Sequence, residues 1–271
     1  MQITSTDGLG AEITGVDIKN LTDQEFADVK AAFAEHGVIF FRDQDTSEGD
    51  HIAFAERFGD INVNRFFAAH PDYPQIALVA KEPDQKDNIG GGWHTDHSYD
   101  HEPALGSVLV ARELPETGGD TMFASMYKAY ESLSDEMKDR EGPDSYYNTS
   151  DAGSHDDVTN RIGNSAVAEM LTDPVHPIVI KHPLSGKKAL YVNPAFTREV
   201  VGVEKKDSDE LLSALYTHVF TGHGFHHRFE WKPGSIAMWD NRSTWHWAMN
   251  DYHGQRRVMH RITIEGCPLE A

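Results

Sequence analysis

A chain of 271 residues with 39% apolar, 25% charged and 10% aromatic positions carries enough apolar material for a sizeable core, which excludes a disordered polypeptide. Forty-four acidic against 24 basic residues leave a net charge of −20, a field that repels phosphate backbones and anionic headgroups and so excludes nucleic acid and membrane surfaces as partners. A single cysteine, Cys267, excludes an intramolecular disulfide and any thiolate-rich metal site and fits a reducing compartment. The opening MQITSTDGLG has neither a basic nor an apolar signal segment, and no apolar run approaches the roughly 18 residues of a spanning helix, so a cytoplasmic protein is expected.

In chain order, Ala11 to Ile18 reads as a strand, and Thr22 with Glu25 forms a capping box that opens a helix with Phe26, Val29, Ala32 and Phe33 inward, ending near Gly37. Val38 to Phe41 is a short buried strand, and Gly49 to Phe58 is a second amphipathic helix. Strands then dominate: Ile76 to Ala80, Ala104 to Ala111, Thr121 to Phe123, Ile178 to Ile180, Ala189 to Val192, Phe225 to Trp231, Ser235 to Trp239 and Arg257 to Ile264. Between them, one helix is expected over Met126 to Arg140 and another from an Asp207/Glu210 capping box, with Leu211, Leu212, Leu215 and Val219 inward. Many short strands with inserted helices predict a mainly β fold with a double-stranded β-helix (jelly-roll) core, in one domain over 1–271, and disfavour alternating βαβ units. Residues 141–165 are rich in Gly, Asp, Ser and Asn without a period, the composition of a lid loop.

Three His-x-Asp triplets occur, little above the roughly one or two that chance supplies. His70-Pro-Asp72 lies in a polar turn and His155-Asp-Asp157 in the aperiodic segment, whereas His94-Thr-Asp96 lies between Gly90-Gly-Gly-Trp93 and a strand. On extended backbone, residues i and i+2 share a face about 7 Å apart, so both side chains can converge on one ion. His246, between Trp245 and Trp247, is the best third ligand. Two imidazoles and a carboxylate leave open positions opposite, as in non-haem Fe(II) oxygenases, although zinc hydrolysis uses similar ligands. In the last strand, Arg257, Met259, Arg261 and Thr263 alternate onto one face, and an arginine on an interior face is costly unless it meets an anion.

The chain resembles the taurine dioxygenase family of Fe(II)- and 2-oxoglutarate-dependent oxygenases. The resemblance rests on Leu9 to Asp17, Trp93-His-Thr-Asp96, Leu114-Pro-Glu-Thr-Gly-Gly-Asp-Thr121, His182 to Asn193, Trp239-Asp-Asn-Arg242 with His246, and Asp251-Tyr252 through Arg261. It implies His94, Asp96 and His246 as iron ligands, and Thr121 and Arg257 as the anchor of the distal carboxylate of 2-oxoglutarate. It further implies consumption of O2, release of succinate and CO2, and hydroxylation of a small organic substrate. Arg261 stands where the taurine enzymes grip a sulfonate, so an anionic substrate is implied: a sulfonate, sulfate ester or carboxylate. Asn64 and Phe67 stand where those enzymes have histidine and tyrosine, so a substrate other than taurine is expected, flanked by Phe67, His97 and Tyr99. A homo-oligomer is compatible with this reading.

Two other functions remain: a zinc hydrolase using the same pocket, and a jelly roll that binds a small ligand without turning it over. Elsewhere, His223, His226, His227 and Glu230 suggest a second metal site, but 226 and 227 face opposite ways along a strand and a structural role is favoured. Trp93, Trp245 and Trp247 offer a cage for a cation, with core packing the default. Arg256 and His260 fall outside the pocket, and Asp251 and Tyr252 are expected to stabilise the turn before the last strand.

Overall fold

The structure, a computed structural model, describes residues 1–140, 146–149 and 174–271. The chain begins with β1 (Gln2–Ser5) antiparallel to β2 (Ala11–Thr14); the latter is shorter than expected because Asp17 caps a 3-10 turn over Ile18–Asn20. Helix α1 (Asp23–His36) starts at the expected box, Thr22 Oγ1 accepting from the Glu25 amide at 3.2 Å and Glu25 Oε2 accepting from the Thr22 amide at 2.9 Å. It stops at Gly37, whose φ of 72° is open to glycine at little cost and whose amide closes on the Phe33 carbonyl. Strand β3 (Val38–Phe41) lies parallel to β2, and α2 (Glu48–Glu56) opens with a second box, Ser47 and Asp50.

After β4 (Ile61–Asn62), β5 (Ala77–Lys81), β6 (Gly106–Glu113) and β7 (Thr121–Ser125), the single helix expected over 126–140 is two. They are α3 (Met126–Glu131) and α4 (Asp135–Arg140). Serines cause the break: Ser132 Oγ donates back to the Lys128 carbonyl at 2.7 Å, and Ser134 Oγ accepts the Met137 amide at 3.2 Å, so side chains displace the helical ladder. The 141–165 loop expectation fails over β8 (Tyr146–Thr149), which sits between β9 (Val175–Pro177) and β12 (Thr197–Val200). The rest of that expected lid, His155 included, lies outside the described residues.

Strands β10 (Val179–Lys181) and β11 (Lys188–Leu190) form a hairpin. The last helix, α5 (Lys205–Thr221), begins at Glu204 with no side-chain cap, not at an Asp207/Glu210 box. Those acids are displaced from capping because the helix start is fixed otherwise: Ser208 Oγ accepts the Val200 amide at 2.8 Å, and the neighbouring Lys205–Asp209 and Lys206–Glu210 pairs lie outside. The chain ends with β13 (His226–Phe229), β14 (Ile236–Asp240), β15 (Thr244–Ala248) and β16 (Arg257–Ile264).

The architecture is the expected mainly β jelly roll. The larger sheet runs β1-β2-β3-β14-β6-β16-β4, with β5 also on β16, and the smaller runs β13-β7-β15. Parity along the strands assigns the two faces of the larger sheet. Val38, Phe40, Ala237, Trp239 and Met259 meet Phe123 and Phe229 of the smaller sheet, forming the interior of the roll. Ile39, Phe41, Ile236, Met238 and Ile262 pack instead beneath Val29, Phe33 and Phe54 of α1 and α2. A third cluster, with Trp245, Leu212, Leu215 and Val219, fixes α5 behind the smaller sheet. The strands of the larger sheet that send side chains into the interior of the roll are therefore packed on both faces.

Candidate metal centre and anion socket

His246 is central in β15, paired with Phe123 of β7, its ring 4.7 Å from that of Trp239. His94 is brought to it by an isolated antiparallel bridge in which each residue's amide donates to the other's carbonyl. Asp96 follows in a turn, so the convergence needs one bridged residue and a turn, not two residues of one extended strand. Asp96 lies with Oδ1 3.7 Å from His94 Nε2 and Oδ2 3.6 Å from His246 Nε2. One donor atom from each of the three falls within 4.8 Å of the others, a spacing that one transition-metal ion fills.

Local chemistry prepares these atoms. His94 Nδ1 is 2.8 Å from the Gly92 carbonyl, to which it donates, which turns Nε2 toward Asp96. Burial alone would raise the Asp96 carboxyl, but Arg261 and the His246 and His94 imidazoles hold it well below the usual carboxylate range, so it is an anion. Burial, followed by the neighbouring His94, pushes the His246 imidazole well below its ordinary value, against the pull of Asp96, so it is neutral and able to ligate. Two imidazoles and a carboxylate are the donor set that suits ferrous iron with open positions.

Strand β16 carries the cations, on the predicted face. Arg257 is 4% exposed, its Nε and Nη2 have no hydrogen-bond partner, and no acidic side chain pairs with it among the described residues. Burial pushes its guanidinium down from the ordinary value, a cost that an incoming anion removes. Its guanidinium carbon lies 5.8 Å from the Trp231 ring centre. Trp231 Nε1 donates to Thr121 Oγ1 at 2.9 Å, so the Thr121 hydroxyl has its own hydrogen left to give. Gly119, at φ 74°, closes the same corner: a Cβ there would come 3.1 Å from Arg257 Cδ. The orphaned guanidinium and spare hydroxyl fit a carboxylate.

Arg261 differs. Its Nη1 donates to Asp96 Oδ2 at 3.1 Å and its guanidinium stacks 4.4 Å from the Phe67 ring centre, leaving Nε without a partner. The expectation that each inward arginine must meet an anion is met within the chain at Arg261, whose charge pairs with the Asp96 carboxylate, and is left open at Arg257. Asn64 Oδ1 accepts from the Phe66 and Phe67 amides at 2.8 and 3.2 Å, shaping the loop that presents Phe67. His97 is buried in a left-handed conformation (φ 62°), Nδ1 2.8 Å from Asp100 and Nε2 without a partner. Tyr99 packs edge-on against Phe66 and Phe196. Sequence reasoning passed over Phe196, which also lies 6.5 Å from the His94 ring, and over Trp231, which reads as core until its N–H is seen on Thr121.

The remaining clusters have structural explanations. His226 and His227 pack at a tilt against Trp93 and Phe40 respectively. Trp245 is core, its Nε1 on the Val192 carbonyl, so the three tryptophans form no cage. A second group, Glu48, His70 and His260, has metal-ligand spacing, but Arg112 donates to His260 Nδ1 at 3.1 Å and sits 3.4 Å from Glu48. A guanidinium supplies its positive charge.

Residues 2–263 match the model of the taurine catabolism dioxygenase TauD, TfdA family. The chain belongs to the TauD/TfdA dioxygenase family. It is 31% identical to an alpha-ketoglutarate-dependent sulfonate dioxygenase of Saccharomyces cerevisiae over 91% of its own length, and spans 62% of that relative. It is 34% identical to an alkylsulfatase of Acinetobacter baylyi, covering 96% of this chain and 83% of the relative. A (S)-phenoxypropionate/alpha-ketoglutarate-dioxygenase of Sphingobium herbicidovorans is 30% identical, with 96% and 92% covered. Among solved structures, a putative taurine dioxygenase of Burkholderia xenovorans superposes with a TM-score of 0.84 at 31% identity, covering 98% of this chain and 92% of that one. The enzyme AAD-2, solved with Mn(II) and N-oxalylglycine, superposes with 0.85 at 27% identity over all of both chains. Membership in this Fe(II)/2-oxoglutarate-dependent family decides against the hydrolase and binding-protein alternatives.

Proposed function

We propose that this TauD/TfdA member oxidises a small anionic organic substrate, with Fe(II) held by His94, Asp96 and His246 and 2-oxoglutarate anchored by Thr121 and Arg257. The observation that carries the reading is the buried Arg257, whose guanidinium has two unpartnered nitrogens beside a Thr hydroxyl with a hydrogen to donate. Bound in this family's manner, iron and 2-oxoglutarate supply oxidative decarboxylation of the keto-acid to succinate and CO2, coupled to insertion of one atom of O2 into a substrate C–H bond.

The chain's own residues do the positioning. Arg261 holds Asp96 in place through Nη1 and keeps Nε for an anionic head group, with Phe67 beneath it. His97 offers Nε2 from a side chain clamped by Asp100, while Tyr99 and Phe196 supply apolar wall that excludes water. Sulfonates, alkyl sulfates and aryloxyalkanoates share one negative head on an apolar body, and relatives named for each of these chemistries match this chain. A small-molecule partner, with neither nucleic acid nor membrane, suits a net charge of −20, and among the described residues no helix is long and apolar enough to cross a membrane. One cysteine suits a cytoplasmic setting.

The test is a panel of sulfonates, alkyl sulfates, aryloxyalkanoates and acyl amino acids, read as succinate formed above the substrate-free background of the Fe(II)-loaded enzyme. At least one anionic class should raise succinate in step with hydroxylated product, and Arg261→Gln should lower that coupling. Stimulation by neutral compounds alone would overturn the assignment of Arg261.

A further inference from the structure

Strand register sets a second cation beside the socket. Lys81, the last residue of β5, lies directly opposite Arg257 of β16, in the row that also pairs Val79 with Met259 and Ala77 with Arg261. Directly opposed residues point to the same face with Cβ atoms roughly 5 Å apart, and like charges so placed destabilise a sheet. Both are buried, at 2% and 4% exposure, and among the described residues neither has a carboxylate partner. The nearby acids are taken: Asp120 accepts from Arg228 Nε at 2.6 Å, and Asp251 from the Gly119 amide at 2.7 Å. The Lys81 ammonium has one acceptor, Asn250 Oδ1 at 2.7 Å, and otherwise faces the Tyr252 ring at 4.5 Å. Tyr252 lies close enough to Arg257 for that charge to oppose the upward push that burial gives its phenol, so the same residue neighbours both cations. Two adjacent, unneutralised, desolvated cations are tolerated where an anion is meant to arrive.

We infer that Lys81 is a specificity-determining residue of the socket: with Arg257 it sets the preference for a keto-acid bearing a distal carboxylate. The inference rests on the assignment of Arg257 above. Lys81 acts from the position opposite Arg257 as a fixed positive charge, distinct from its bond to Asn250 in the loop between β15 and β16.

The experiment measures binding of 2-oxoglutarate and of 2-oxopentanoate, the same keto-acid skeleton without the distal carboxylate, to anaerobic Fe(II)-loaded enzyme by calorimetry. Lys81→Met should weaken 2-oxoglutarate about tenfold while changing 2-oxopentanoate less than about twofold, as expected for loss of one charge at short range in a protein interior. Lys81→Arg should restore most of the difference, and Asn250→Ala, which cuts the loop bond but keeps the charge, should leave the ratio of the two affinities alone. Equal weakening of both keto-acids by Lys81→Met and Asn250→Ala would make Lys81 a loop pin and overturn the inference, as would no change in either. Arg257→Met tests the foundation separately: if it weakens both keto-acids alike, the socket itself is misassigned, whereas selective loss there with none at Lys81 removes only the role of Lys81. Lys81→Gln, which keeps a donor for Asn250, reads the same ratio if the methionine variant does not fold.

Discussion

His94 and His246 are joined main chain to main chain, the His94 amide donating to the His246 carbonyl at 3.1 Å and the His246 amide returning the bond at 2.8 Å. Two proposed ligands 152 positions apart are therefore held in register by a link that side-chain substitution does not remove. His246→Gln, which keeps most of the volume against Trp239, is expected to abolish stoichiometric Fe(II) binding while shifting the melting temperature of the metal-free protein by less than about 5 °C. Metal analysis with a thermal melt checks both, and iron bound at wild-type stoichiometry would remove His246 from the ligand set.

Gly119→Ala isolates the socket from the metal. The added Cβ would be 3.1 Å from Arg257 Cδ and 3.2 Å from Nε, at a φ of 74° that costs an alanine about 1–2 kcal/mol. The apparent KM for 2-oxoglutarate should rise at least several-fold with Fe(II) affinity unchanged. An unaltered KM would show that Arg257 does not depend on this close approach.

A buried charge cluster supports the turn that leads into β15. Asp240 accepts from Arg242 Nε and Nη2 at 2.9 and 2.7 Å and from His182 Nε2 at 3.0 Å, and its backbone carbonyl accepts from Thr244 Oγ1. The tautomer is fixed because His182 Nδ1 accepts the Ser185 amide, leaving the hydrogen on Nε2. Arg242→Met leaves a desolvated carboxylate with half its compensation and should cost roughly 3–5 kcal/mol in denaturant unfolding. A loss under about 1 kcal/mol would mean that the carboxylate finds water or a proton instead.

How much of this was legible in the sequence depends on the range of the interaction. The Thr22/Glu25 box, the Gly37 stop and the parity of Arg257, Met259 and Arg261 are local patterns, and the fold obeys them. The break at Ser132 and the uncapped start of α5 were illegible because serine's alternative bonds compete with periodicity, which alone favoured one helix and a box. The convergence of His94 and Asp96 on His246 was readable as residue types and motif spacing, but not as a backbone bridge. The Asp96–Arg261 bond and the opposition of Lys81 to Arg257 depend on which strands become neighbours and in what register, information that no single segment contains.

Acid should destabilise the fold well above the pH at which carboxylates titrate. Burial pushes the imidazoles of His51, His176 and His260 down to about 3, about 4 and about 4, from 6.5 in the unfolded chain. Below pH 6.5 the unfolded chain takes up protons at these positions and the folded chain does not, so their stabilisation is complete above that pH and is lost as pH falls toward 4. Each contributes a slope of up to about 1.4 kcal/mol per pH unit within the window. Melting temperatures between pH 7.5 and 4.5 should fall progressively, less steeply in His51→Gln; a flat profile down to pH 4.5 would show that these rings are protonated in place.

The Arg261 guanidinium touches the Asp96 carboxylate, the proposed iron ligand, on one side and the Phe67 ring on the other. On the proposed assignment, any lineage, natural or in the laboratory, that retunes selectivity by replacing this arginine should disturb iron retention in the same step. Phe67, set by the Asn64 turn and not bonded to Asp96, should carry no such penalty. Diversification of substrate range in this enzyme should therefore accumulate in the 64–67 loop first, with position 261 held fixed.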